Sequence, residues 1–404
     1  MKVLVAIPYT PWPVRKGTNR LIINLLEGLS RKHETVLVTM TEEPWELERL
    51  REIEKDRLTV RAILAPHRRG RGAKLSHKVK NLALSLFGGI PQEVSYTAPR
   101  EYLELTAEVS REIEADVVLA SYWHLYRLTE YVKGAKLVLI THDIDFIVNP
   151  ERVRFMRWGI GRIVAARKVR LLERIEREAY RRYPAILTVT PLDADLLKGY
   201  HFSEGKIVEP LPLALDLREF NHRDYKRQRN RILFLGSFHA DFNRDAFFWF
   251  NNEVLPLILE DVSEAKLEVV GFGVDDEMRR RALKNVDFLG GVDDIRPHLG
   301  MCSLMVLPLR FGGGVRIRML EAAAMGTPVV STSIGVRGMG LKEGEHYLRG
   351  DTPGEMASAV VSLLKSEEEM ERLSGDLRLW AEENISMEDY PERLTRLLDN
   401  IVEK

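Results

Sequence analysis

A chain of 404 residues with 45% hydrophobic side chains carries enough apolar material for two cores of ordinary domain size, which excludes a disordered chain and a disulfide scaffold. Lys plus Arg balances Asp plus Glu at 60 each, so net charge offers no attraction to nucleic acid. The single cysteine, Cys302, leaves no intramolecular disulfide or multi-thiolate zinc site, and beside Met301 and Leu304 it reads as a buried structural thiol in a reducing cytoplasm.

Val3 to Ile7 is a continuous apolar run, the pattern of a parallel strand covered on both faces. It is too short for a signal peptide, and no uncharged stretch reaches bilayer length, so a cytoplasmic protein is expected, soluble or peripheral at the inner membrane face. Leu21, Ile22, Leu25, Leu26 and Leu29 follow at helical spacing, then a strand at 36–38. Further strands are expected at 117–120, 137–140 and 186–189, with helical patterns between them. This alternation describes a doubly wound α/β domain over residues 1–205.

A linker is expected over 206–230, because Arg218 to Asn230 is charged and nearly free of aliphatic residues. Alternation then resumes, with strands at 232–235, 267–270, 286–289, 304–307 and 329–332. Helices are expected near 245–259 and 315–324. The second α/β domain is therefore placed at 229–385. In the last segment, 386–404, Leu394, Leu397, Leu398, Ile401 and Val402 form one apolar stripe on a helix beginning near Pro391. Such a face must dock, and a helix crossing back to the first domain is the expected solution.

Residues 308–332 read PLRFGGGVRIRMLEAAAMGTPVVST. A strand ends, three glycines follow, and a helix runs to Ala324 before Gly326 stops it. Glycines at the mouth of a helix let backbone N–H groups approach a ligand, and the helix dipole favours phosphate there. Arg316 and Arg318 in the first turn oppose that dipole unless an anion neutralises them. Glu321 shares a face with Arg318, and a carboxylate there can accept from sugar hydroxyls. An ordinary βα loop with an Arg–Glu helix pair is the alternative. The fingerprints of dinucleotide dehydrogenases and P-loop kinases are absent from the segment.

The run GGGVRIRMLEAAAMGTPVVST resembles the donor-binding segment of family 4 retaining glycosyltransferases, which have the GT-B fold. PYTPWPVRKGTNR near the start resembles that family's acceptor-side loop. ILFLGSF followed by Asn243, LEVVGFG and VDFLGGVDDIRPHL resemble stretches of its donor domain. The resemblance implies two Rossmann-like domains facing a cleft, and transfer of a sugar from a UDP- or GDP-linked donor to a glycan or lipid-linked acceptor, with retention of configuration. It further implies that Glu321 holds the ribose and Arg318 lies near the diphosphate. Gly313, Gly314 and Val315 would offer amides, with Arg316 beside them, and Gly236 and Ser237 would face the diphosphate. Gly17 would let the acceptor-side loop close. Two departures stand out. Gly313 occupies the place of a second glutamate, and His239 and Arg244 stand where an Arg and a Lys are usual.

THDID at 141–145 follows a strand, and the resemblance puts a cleft-facing group there: His142 first, Asp143 second, with a strand-end histidine and an N-capping aspartate as the alternative. Asp143 and Asp145 also have the spacing of a metal pair, but without further ligand candidates no metal and no cofactor is expected. Residues 58–92 hold no Asp or Glu yet carry Arg61, Arg68, Arg69, Arg71, Lys74, Lys78 and Lys80. Residues 151–183 interleave Arg152, Arg154, Arg157, Arg162, Arg167, Lys168 and Arg170 with Phe155, Trp158, Ile160 and Ile163. Both segments suit an anionic membrane surface, or a solvated basic face. A nucleotide-sugar epimerase or hydrolase and a non-catalytic peripheral protein are the rival functions.

Overall fold

The computed structural model describes residues 1–12, 17–68, 91–155, 159–221 and 225–404. The chain divides into two compact units, one formed by Met1–Ala214 with Glu388–Lys404 and the other by Leu215–Met387.

In the first unit, β1 (Lys2–Ile7), β2 (Glu34–Thr41), β3 (Leu58–Leu64), β4 (Val117–Ser121), β5 (Lys136–Thr141), β6 (Ala185–Thr188) and β7 (Ile207–Pro210) form a parallel sheet in the order 3-2-1-4-5-6-7. In the second, β8 (Arg231–Leu235), β9 (Lys266–Val270), β10 (Val286–Gly290), β11 (Leu304–Leu307), β12 (Val329–Ser331) and β13 (Leu348–Arg349) repeat that order as 10-9-8-11-12-13, again in parallel. Each sheet therefore reverses its winding once, between β1 and β4 and between β8 and β11. At such a switch point the loops after neighbouring strands diverge and leave a crevice for a ligand. The central strands are apolar because both faces are covered: Val3 to Ile7 and Leu304 to Leu307 are buried throughout.

The sheet takes in Ile207–Pro210, so residues expected to open the linker belong to the first unit. The strand holds only two apolar side chains and ends at a proline, which an edge position tolerates.

The terminal helix Tyr390–Glu403 belongs to the first unit, where it packs on the helix Gly17–Ser30. It buries Tyr390, Leu394, Leu398 and Ile401, whereas Val402, expected in the stripe, is 42% exposed. His33 Nε2 lies 2.9 Å from Thr395 Oγ1, and Lys32 pairs with Glu392 at 2.8 Å. Gly28 makes the close approach possible, since a Cβ there would stand 2.6 Å from the Tyr390 ring and 2.9 Å from Leu394. Gly28→Val is expected to cost about 1–3 kcal/mol by overpacking this seam. Urea unfolding checks this, and a midpoint equal to wild type would contradict the packing described. Cys302 is fully buried and burial pushes its thiol up to about 12, as befits a structural cysteine.

Candidate functional site

In the second unit the candidate residues gather where β8 and β11 end. After β11 the chain passes Gly312 at φ +114° and Gly314 at φ +69°, a left-handed path that side chains rarely adopt. The helix Ile317–Met325 starts there with Arg316 at its N-cap and no side-chain cap on its first turn. It buries Met319 to Met325 and ends on Gly326 in the left-handed conformation, as its sequence requires. Gly313, Gly314 and Val315 remain partly exposed beside this helix start.

The two arginines behave differently. Arg316 turns back to the carbonyl of Gly313 and lays its guanidinium 5.3 Å over the Phe242 ring. Arg318 reaches towards the end of β8, where Nη1 donates to the carbonyl of Leu235 and Nη2 donates to Asn243 Oδ1 at 2.6 Å. Its head group lies under the turn at Gly236, where a Cβ would stand 2.9 Å from Nη1. Burial, reinforced by the charge of Arg316 and opposed by Glu321, pushes the Arg318 guanidinium down to about 9, so it stays protonated at neutral pH. Glu321 is 8% exposed on the next turn of the same helix.

Ser237 is exposed at the turn after β8, and its carbonyl accepts from Asn243 Nδ2 at 2.8 Å. His239 is also exposed there. Arg244 is drawn away, pairing with Asp275 and Glu277 and stacking 5.1 Å from Phe248. The place where a second phosphate-binding cation is usual in the resembling family is thus taken by a surface ion pair. The resemblance picks out Asn243 after ILFLGSF but gives it no role, because its bond to Arg318 joins residues 75 positions apart.

Gly17, His142 and Asp143 lie in the first unit. Gly17 opens the helix Gly17–Ser30, while residues 13–16 of the preceding loop lie outside the described residues. His142 follows β5, with Nε2 2.8 Å from Ser121 Oγ and its ring 4.3 Å from that of Tyr122. Tyr122 in turn contacts Tyr9 through their hydroxyls at 3.1 Å and has φ +81°, strained for a side chain of its size. Tyr9 follows β1 and Tyr122 follows β4, so this cluster sits at the switch point of the first sheet. Neither tyrosine nor Ser121 was legible as a site residue, since a left-handed backbone leaves no signature in a tyrosine. Asp145 accepts from the Trp123 indole at 2.7 Å and from Asn149 at 3.4 Å, contacts that give it a structural role. Asp143 accepts through its backbone carbonyl from Thr141 Oγ1 at 2.7 Å.

Burial pushes His142 down to about 4, so its imidazole is neutral across the physiological range. Between that value and the ordinary 6.5 the unfolded chain binds more protons than the native one. The associated stability is complete above 6.5 and is lost as pH falls towards 4. His142→Gln is expected to flatten this acid limb of the stability curve. Parallel wild-type and variant curves between those pH values would contradict the burial described.

Of the basic segments, 69–90 and 156–158 lie outside the described residues, and with them Arg69, Arg71, Lys74, Lys78, Lys80, Arg157 and Trp158. The side chains of Arg152, Arg154, Phe155 and Ile160 lie outside them too. The helix Ile160–Arg182 exposes Ile163 by 56% and Val164 by 60%, next to Arg162, Arg167 and Lys168. Among the described residues, no helix is long and apolar enough to cross a membrane.

Residues 229–366, which hold all of the second-unit candidates, match the family model described as Glycosyl transferases group 1. The chain is 30% identical over 155 residues to a phosphatidyl-myo-inositol mannosyltransferase of Mycobacterium leprae, an alignment covering 37% of this chain and 41% of that protein. It spans less than half the length of the curated relatives it matches, 41% and 46%. Among solved structures it is similar to the sucrose-phosphate synthase of Thermosynechococcus elongatus, with a TM-score of 0.70, 14% identity and coverage of 99% and 98% of the two chains. It is also similar to Anabaena HepE in complex with UDP and glucose, with a TM-score of 0.66, 11% identity and 99% coverage of both chains. The fold is GT-B: two parallel-sheet α/β units of this order.

Proposed function

We propose that this chain is a glycosyltransferase that binds a nucleotide sugar on its second unit and transfers the sugar to an acceptor hydroxyl. The observation that carries the reading is the meeting of a left-handed glycine turn, an uncapped helix start and Arg318 at the switch point of the sheet matched by the family model. Together these supply amides, a dipole and a fixed cation, the groups that a departing nucleoside diphosphate requires. Gly313, Gly314, Val315 and Arg316 line the diphosphate, Gly236 and Ser237 face it, and Glu321 accepts from the ribose hydroxyls.

The finer proposals follow the sequence resemblance. Transfer is of a hexose and retains configuration. His142, neutral and hydrogen-bonded, serves the transferred sugar, with Asp143 as the second candidate, and Gly17 permits closure of the acceptor-side loop. Transfer needs no divalent metal and no cofactor, because Arg318 and the helix start meet the growing charge. The donor is UDP- or GDP-linked, and the acceptor is a glycan or lipid-linked glycan. The protein works in the cytoplasm, and the Ile163–Val164 patch among arginines gives it a peripheral hold on anionic lipid. It does not bind nucleic acid.

Incubation with a panel of nucleotide sugars, with and without membranes and with and without EDTA, tests this reading. Acceptor-dependent release of a nucleoside diphosphate, unchanged by chelator, is expected. Donor consumed equally without any acceptor would point to an epimerase or hydrolase. No donor consumed under any condition would leave a non-catalytic binding protein.

A further inference from the structure

Arg318 is held by oxygens that carry no charge. Its two hydrogen-bonded acceptors are the peptide carbonyl of Leu235 and the carboxamide oxygen of Asn243, 2.6 Å from Nη2. Asn243 is itself well fixed. It sits on the helix Asp241–Trp249, is 3% exposed, and donates from Nδ2 to the carbonyl of Ser237 at 2.8 Å. The same side chain therefore ties the turn after β8 to the cation from the helix after β11, across the switch point of the sheet.

The choice of an amide here has an electrostatic consequence. An aspartate at this position would have nearly the same shape and would bond Arg318 more strongly, as an ion pair. It would also cancel the guanidinium charge inside a poorly screened site, where a second anion would then gain little. Glu321 and Arg316 act on the same guanidinium with opposite signs, so the local balance depends on whether position 243 is neutral.

We propose that Asn243 is a positioning residue that fixes Arg318 beneath the Gly236 turn while leaving its positive charge available to a diphosphate group. This deepens the donor-site reading and rests on it.

The test is a rank order. A purely structural asparagine would suffer in both variants, and for nucleoside and diphosphate alike: Asn243→Ala removes both bonds and leaves a cavity, and Asn243→Asp keeps the Arg318 contact but sets a carboxylate oxygen against the Ser237 carbonyl. Reservation of charge adds a loss that falls on the diphosphate alone and is larger for Asn243→Asp than for Asn243→Ala. Calorimetric titration with UDP, GDP and ADP, and with the corresponding nucleosides, is made on wild type and both variants, with thermal unfolding recorded alongside. For the diphosphate that wild type binds, Asn243→Asp is expected to weaken affinity by about tenfold or more and Asn243→Ala by only a few-fold, with nucleoside affinity little changed. Alanine binding the diphosphate more weakly than aspartate would overturn the proposal while leaving the donor site intact. Wild type binding none of the three diphosphates would overturn both. A second measurement needs no variant at Asn243: the Arg318 guanidinium resonances of the wild-type protein are expected to shift on adding the diphosphate but not the nucleoside. Resonances indifferent to both would also overturn it.

Discussion

Arg318→Ala is expected to lower turnover by about two to three orders of magnitude while weakening donor binding far less. The asymmetry comes from where charge appears. In the ground state the diphosphate shares its charge with a bonded sugar, and in the transition state the leaving oxygen gains more. On the proposed reading, a cation fixed between Leu235 and Asn243 would meet that increment without reorganising. Arg318→Lys should retain part of the activity, because an ammonium supplies the charge but not the forked pair of bonds. The alanine variant also leaves two inward-facing acceptors without their donor, at about 1–3 kcal/mol each, so its unfolding midpoint must be read beside its kinetics. Weakened donor binding with kcat at saturating donor unchanged would place Arg318 in ground-state binding only.

Glu321→Ala should act on the other term. Its carboxylate lies on the second turn of the helix Ile317–Met325, 8% exposed, and its charge is felt by Arg318. Loss of charged hydrogen bonds to a ribose would cost about 1.5–3 kcal/mol, or roughly ten- to a hundredfold in nucleotide affinity. Because the ribose does not change during transfer, kcat at saturating donor should fall much less than affinity. A folded variant binding UDP, GDP and ADP as wild type does would remove Glu321 from the donor site.

Sequence periodicity located the strands covered on both faces, such as Val3–Ile7 and Leu304–Leu307, and with them the edge strand β10, whose Val286, Phe288 and Leu289 are apolar without being buried. The three it passed over are all edge strands: β3, where Arg61 interrupts the apolar pattern, β7, which ends at Pro210, and the two-residue β13. An edge strand has one side open to solvent and need not be apolar, so a hydrophobic run reveals it only where its residues happen to be apolar, as in β10. The same limit governs the site. The glycine turn, Arg316, Arg318 and Glu321 are local in sequence and were legible as a group. Asn243 under Arg318, and Tyr9 with Tyr122 beside His142, are assembled by the sheet order from distant segments. Arg244 shows the converse: it sits where a phosphate-binding cation was sought, and Asp275 and Glu277 neutralise it instead.

The central claim is that the second unit holds a nucleoside diphosphate through its phosphates and its ribose together. Calorimetric titration of wild-type protein with UDP, GDP and ADP, each beside its nucleoside, measures this most directly. One diphosphate should bind clearly, its nucleoside much more weakly, and binding should fall as salt screens the phosphate contacts. A nucleoside bound as tightly as its diphosphate, or no binding by any of the three, would contradict the account.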